Sequence, residues 1–220
     1  MATYTSGAIN EVLIGTGVLY IADRTASGLA FPADDGAGAF QTAATASAAW
    51  RDIGYSEDGW TLEIDRTFED ILVAEEVDPI KTIKTAQEAR LMGELSQASL
   101  KNLSVAMGQD DSFVSEDDSN FAAGYDVVNA PLTNEFTELA GLLMTEGPAG
   151  ADRHVQMPKM VSVGAFSMSH AKAPQKVVIA TEFKLLVPDA AGLNVGNPGG
   201  KFKLFRIVDN TNDSTTFDVN

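Results

Sequence analysis

The sequence predicts a mainly β protein, a β-sandwich or barrel with one short flanking helix and a long hairpin arm. Three observations support this fold class. Residues 60–66 alternate strictly between apolar and polar side chains, further segments rich in β-branched residues are separated by glycine and proline turns, and only one clear stretch has helical periodicity. With 220 residues, 45% of them hydrophobic, the chain is long enough for one large β domain with a full core.

The N-terminal part predicts a strand, a loop and a second strand. Val12–Ile21 is rich in β-branched and aromatic residues, which favours a strand. The composition at 31–49 shifts to Ala, Gly, Thr, Ser and Asp, which is typical of a long surface loop. Trp60, Leu62 and Ile64 then share one face of a half-buried antiparallel strand.

A hairpin arm is predicted at 65–84. Thr67–Pro79 carries apolar residues among many acids, and Ile80–Thr85 resumes an extended pattern. Because these apolar residues cannot all fold back onto their own core, the arm is a candidate for contacts with another subunit.

The next segments predict one ambiguous element and one helix. Gln87–Leu95 fits a strand with four small or apolar residues on one face, although its composition also permits a helix. The best helix covers about 97–107, where Leu100, Leu103 and Met107 share a face and Gly108 follows at the position of a C′ glycine.

The C-terminal half predicts more strands. The segment 132–145 fits either a helix or a hairpin strand, and the turn at 146–152 favours the hairpin. Further strands are predicted at Val155–Val163, Val161–Met168, Lys176–Val187 and Lys201–Val208. We therefore expect a single domain over 1–208, with 31–49 and 109–131 as loop insertions and a flexible polar tail at 209–220.

The charge is strongly acidic and unevenly distributed. The chain has 31 Asp and Glu residues against 15 Lys and Arg, a net charge of −16. Residues 1–125 hold 21 of the acids and 7 of the bases. Such a surface disfavours nucleic-acid binding through a basic patch and attachment to an anionic membrane.

Neither a catalytic nor a cofactor site emerges from the motifs. There is no cysteine, and neither His154 nor His170 has a second ligand at metal-binding spacing. The acidic run Asp110–Asp118 lacks the ligand order and the glycine of a calcium loop, which favours a solvated loop. We expect no enzymatic activity and no cofactor. The N-terminus shows no signal peptide, so we expect a soluble protein made in the cytoplasm.

One block of the sequence resembles a known family. Trp50-Arg-Asp-Ile-Gly-Tyr-Ser-Glu-Asp-Gly-Trp-Thr-Leu-Glu-Ile-Asp-Arg66 is similar to a segment of the major tail tube proteins of long, non-contractile-tailed bacteriophages, especially those of actinobacteria. Asn10–Ile21, Val77–Thr85 and Ser99–Gly108 resemble the neighbouring family elements in the same order. The resemblance is good over 8–108 and looser over 132–208.

The resemblance implies a structural virion protein. In the family, a β-sandwich flanked by a helix forms six-membered rings whose inner sheets join into one barrel. The rings stack into the tail tube through which the genome passes. The implied partners are further copies of the chain, the tape measure protein, the tail tip or baseplate and the tail terminator. The implied location is the virion, with assembly in the host cytoplasm.

The resemblance also implies which residues serve assembly. The family makes ring-to-ring contacts through the arm, where this sequence places four apolar candidates, Phe68, Ile71, Val73 and Ile80. Acids near the arm are candidates for the lumen or the outer surface, namely Glu63, Asp65, Glu69, Asp70, Glu75 and Glu76. Lumen acids would keep DNA from adhering during transient passage.

Two other functions stay open at this stage. The first is another phage ring or decoration protein, such as a neck, tail-terminator or capsid decoration subunit. The second is an acidic, calcium-binding extracellular adhesion module. Formation of indefinite tubes, closed single rings or a calcium-stabilised monomer distinguishes the three possibilities.

Overall fold

The computed structural model describes a β-rich chain over the residue ranges 17–33, 41–71, 78–109, 114–115, 126–129, 136–146, 152–165, 177–188 and 204–209. The strands are β1 Val18–Asp23, β2 Arg51–Asp52, β3 Ser56–Ile71, β4 Lys81–Leu95, β5 Val114–Ser115, β6 Val127–Val128, β7 Leu139–Glu146, β8 Asp152–Ser162, β9 Ile179–Leu185 and β10 Arg206–Asp209. The helices are α1 Ala43–Ala46 and α2 Leu100–Ala106. The predicted mainly β fold class is confirmed.

Eight of these strands form one antiparallel sheet in the order β2-β1-β7-β8-β9-β4-β3, with β10 paired to β8. Strands β5 and β6 form a separate two-stranded sheet. Although β2 and β3 lie at opposite ends of the strand order, only residues 53–55 connect them along the chain. So short a connection spans about 14 Å at most, so the sheet must curl until its two ends approach each other.

The main core fills the inside of this curl. Leu19 of β1, Leu91 of β4 and Phe183 of β9 are completely buried in one apolar cluster. The indole ring of Trp60 packs against this cluster, with its centroid 6.5 Å from that of Phe183. Gly93 makes this contact possible, because a Cβ at that position would lie 2.5 Å from the Trp60 ring.

Helix α2 begins and ends where capping chemistry predicts. The side chain of Ser99 accepts a hydrogen bond from the backbone N–H of Asn102, and Gly108 has a φ of +84° just after the last turn. The helix is shorter than the predicted 97–107. It docks through Asn102, which donates to the carbonyl oxygens of Ile53 at 2.7 Å and Gln97 at 2.9 Å.

The described part of the predicted surface loop at 31–49 contains one short helix and no strand, but it is not wholly at the surface. Phe31, Ala43 and Trp50 are buried in a second apolar cluster that covers Leu142 on the other face of β7. The Trp50 indole N–H donates to the carbonyl oxygen of Ala30 at 2.8 Å, and Ala43 begins helix α1. Residues 34–40 lie outside the described ranges.

Other strand predictions are confirmed with shifted ends. Residues 87–95 belong to a strand, and 139–146 form the favoured hairpin strand, paired with β8. The prediction of a separate strand at Val161–Met168 is wrong for its described residues, 161–165. Val161 and Ser162 are the end of β8, and 163–165 are not in a strand. The predictions at 12–16, 166–168 and 210–220 fall outside the described residues, as do 110–113, 116–125 and 130–131 of the proposed insertion.

Candidate assembly surface

The outstanding surface feature is the distal half of the β3–β4 hairpin, here called the arm and defined as residues 65–71 and 78–84. Every residue of the arm is exposed, whereas Ala89 and Leu91, nearer the root of the same hairpin, are fully buried. The sheet therefore extends past its own core as a two-stranded ribbon. Isolated ribbons of this kind are only marginally stable in water.

The arm is held in register by its pairing and by local polar contacts. Backbone pairing continues from Asp65 opposite Glu88 to Ile71 opposite Lys81, interrupted by a bulge that leaves Thr85 without a partner residue. Near the tip, the hydroxyl of Thr82 donates to a carboxylate oxygen of Asp70 at 2.6 Å.

Apolar side chains occupy both faces of the arm. Phe68 is 58% exposed on one face, Ile71 and Ile83 are 39% and 38% exposed on the other, and Ile80 is 57% exposed beside the tip. A ribbon with apolar groups on both faces has no core of its own in which to bury them. Exposed apolar groups of this kind are typical of surfaces that bind another molecule.

The structure places three of the four predicted contact residues on this arm. Phe68, Ile71 and Ile80 are exposed in the isolated chain, while Val73 lies outside the described residues. Sequence reasoning missed Ile64 and Ile83, which are 37% and 38% exposed on the same hairpin. Ile83 could have been found from the alternation of β4, because it comes two residues after Lys81 and so lies on the same face of the arm.

The predicted acids separate onto two faces. Because side chains alternate along β3, Glu63, Asp65 and Glu69 lie on the face opposite the core, whereas Asp70 lies on the face of Phe68. All four are exposed. Glu75 and Glu76 fall outside the described residues.

Glu63 and Asp65 belong to a wider polar surface, here called the outward face. It is the side pointing away from the main core over residues 61–65 of β3, 88–94 of β4 and 180–184 of β9, and none of the described helices packs on it. Its members are Thr61, Glu63, Asp65, Glu88, Arg90, Met92, Glu94, Ala180, Glu182 and Lys184.

An ion-pair network crosses the outward face. Arg90 Nη1 lies 2.6 Å from Glu182 Oε1, and Arg90 Nη2 lies 2.9 Å from Glu88 Oε1. Lys184 Nζ lies 3.0 Å from the same Glu88 oxygen. The hydrogen bond from Lys184, with help from Arg90, lowers the pKa of Glu88, and the bond to Glu182 is the main cause of the raised pKa of Arg90.

An open groove of about 420 Å³ lies at one end of the outward face. Met92, Gly93 and Ala180 line it together with the carboxylates of Asp58, Glu94 and Glu182. The described lining contains no basic side chain to attract a phosphate group.

The edge of the sheet is a second candidate surface. Strand β3 is the last strand in the order, and no described strand pairs with its outer edge over its 16 residues. An exposed edge of this length presents a row of backbone N–H and C=O groups to any neighbouring strand.

Buried polar groups elsewhere serve the fold. His154 is fully buried in β8, where burial lowers its pKa despite the opposing charge of Asp152. Glu138 pairs with Arg24 and, at 2.6 Å, with Lys159. Over the described ranges, no three His, Asp or Glu side chains gather in a way that holds a metal ion. None of the described helices combines the length and apolar character needed to cross a membrane.

Comparisons with known proteins leave the family open. No family model matches the chain, and no curated protein matches it. Among solved structures, the chain is similar to a chain in the six-fold symmetrised cryo-EM structure of the anti-feeding prophage baseplate. The two are 8% identical, with a TM-score of 0.42 over 96% of this chain and 99% of the other. A likeness at this level assigns neither a family nor a function.

Proposed function

We propose that the chain is a structural subunit of a bacteriophage tail, the major tail tube protein of a long, non-contractile tail. In this proposal six copies form a ring, rings stack into a tube, and the genome passes through the tube into the host. The tube ends at the tail tip and the terminator and encloses the tape measure protein. The protein then belongs to the virion.

The arm is the observation that carries this proposal. Its apolar side chains are exposed on both faces, so a partner must cover them, and every copy of the chain supplies the same arm. An arm that docks on a different surface of the next copy makes a head-to-tail contact. Contacts of this type close into rings or continue as open stacks.

Two further features support the proposal. The free edge of β3 offers backbone groups to a strand of a neighbouring copy, which suits a sheet continued from subunit to subunit. The block from Trp50 to Arg66, whose resemblance points to tail tubes, forms the connection between the two ends of the sheet and the root of the arm. The resembling residues thus occupy the part of the fold from which the arm emerges.

Negative-stain electron microscopy of the concentrated full-length protein, and of particles from its source, tests the proposal. We expect uniform hollow tubes with ring striations. The variant Ile71→Asp places a charge on the arm and is expected to give single rings or monomers. Val187→Asp is the matched control, because Val187 is 55% exposed outside the arm.

The outcomes separate the candidate functions. Tubes from the wild type and the control, but not from Ile71→Asp, support a tube subunit that stacks through its arm. Normal tubes from Ile71→Asp contradict the role of the arm. Closed single rings from the wild type, with no tubes at any concentration, favour a neck or terminator ring.

A further inference from the structure

The outward face carries two basic residues, and both are in ion pairs. Within the residues that define this face, its five acids are Glu63, Asp65, Glu88, Glu94 and Glu182, and its two bases are Arg90 and Lys184. The arm continues the same side with Glu69 and Lys81. Free cations on a surface are the groups that bind the phosphates of a nucleic acid. The contacts made by these two bases therefore determine whether the outward face binds a polyanion.

The network engages three of the five N–H groups of Arg90. Its Nη1 donates to Glu182 at 2.6 Å, its Nε donates to Glu88 at 3.0 Å, and its Nη2 lies 2.9 Å from the same Glu88 oxygen. A guanidinium group binds phosphate through these same paired N–H groups. While Glu88 holds it, Arg90 cannot offer the paired Nε and Nη2 groups to a phosphate.

Lys184 is held in the same way by a shared partner. Its ammonium group lies 3.0 Å from the Glu88 oxygen that also faces Arg90. The sheet register makes this sharing possible, because Arg90 pairs directly with Lys184 and Glu88 is the next residue of β4 on the same face. One carboxylate thus restrains both bases.

The other three acids of the outward face are exposed to solvent. Glu63, Asp65 and Glu94 are exposed, and none forms an ion pair with a described residue. A polyanion approaching this surface therefore meets free carboxylates and bases that are already neutralised. At physiological salt the resulting repulsion acts within about 8 Å of the surface.

We propose, on the basis of the proposed tube function, that the outward face is the surface that meets passing DNA and that Glu88 and Glu182 keep it non-adhesive by restraining Arg90 and Lys184. In this proposal DNA does not adhere to the outward face for two reasons: its bases are held in ion pairs, and its net charge is negative. This assigns a role to two acids, Glu88 and Glu182, that the sequence pattern did not single out.

Two variants with the same change in charge test the mechanism. Glu88→Gln with Glu182→Gln releases the two bases, whereas Glu63→Gln with Asp65→Asn removes two acids from the same face and leaves the network intact. Binding of the full-length protein to a short labelled DNA duplex at low salt is measured by fluorescence anisotropy. Circular dichroism and thermal melting verify that each variant is folded.

We expect the variant with released bases to bind DNA at least about tenfold more tightly than the wild type, with a salt slope steeper by about two units. The variant with the intact network should gain much less. Adding Arg90→Gln and Lys184→Gln to the released variant should return binding to the wild-type level. Equal binding by the two charge-matched variants, or no gain on release, overturns the mechanism.

This measurement is independent of tube formation. If the wild type forms tubes and the charge-matched variants bind DNA equally, the restraint of the bases is wrong and the tube function stands. If the variants differ as expected and no tubes form, the restraint is supported as a property of the surface and the tube function fails.

Discussion

Replacing Phe68 by alanine should weaken assembly without weakening the subunit. A phenylalanine side chain buries about 150–250 Å² when fully covered. With Phe68 58% exposed in the isolated chain, about 100 Å² is left for a partner to cover. At about 25 cal/mol per Å², and allowing for the area that alanine retains, the loss is about 2 kcal/mol per contact. We therefore expect the concentration needed for tube formation to rise about 30-fold.

The chain offers a closely matched control in Phe136, which is 59% exposed and lies outside the arm. Phe136→Ala removes the same side chain at the same exposure. Both variants should unfold in urea within about 0.5 kcal/mol of the wild type, because exposed side chains contribute little to folding. The assay is sedimentation of tubes across a concentration series, verified by electron microscopy. An equal shift for both variants, or no shift for Phe68→Ala, refutes the arm as the stacking contact.

Three further predictions concern the fold that supports the arm. Asn102→Ala should lower the free energy of unfolding by about 2–3 kcal/mol, since it leaves buried carbonyl groups unpaired; a loss below about 1 kcal/mol in urea titration would argue against this. Gly93→Ala should lower the melting temperature through its clash with Trp60, and by more than Gly59→Ala, which has open space but a φ of +85°. His154 has a folded pKa below its ordinary value, so the unfolded chain binds its proton first and stability falls as pH drops below about 6.5. Thermal melts between about pH 7 and 5 should show this decline in the wild type but not in His154→Gln.

Local patterns in the sequence predicted the elements whose signals are local. The alternation from Trp60 to Arg66 needs only a period of two, and helix α2 needs only a serine, an apolar stripe and a glycine. Both were found close to their predicted positions. The exposure of Phe68 and Ile71 was predictable because their segment places apolar residues among many acids, and these apolar residues cannot all fold back onto the core.

Features that depend on distant contacts were not predictable in the same way. Residues 31–49 have the composition of a loop, yet Phe31 is buried because β7 offers it an apolar face. The network of Arg90 with Glu182 joins residues 92 positions apart. Its existence depends on the register of β4 against β9, and nothing in the local composition sets that register.

Because β3 and β4 are continuous from the root to the arm, the number of residues in the arm sets its length. Both strands run from the buried root into the exposed ribbon, and seven residues of β3 lie beyond Ile64. At about 3.3 Å per residue these extend about 23 Å. Because the hydrogen-bonded strands resist stretching, the spacing between the root of the arm and whatever its tip contacts is fixed by a residue count. A two-residue deletion from each strand should shorten the reach by about 7 Å and preserve which side chains lie on which face.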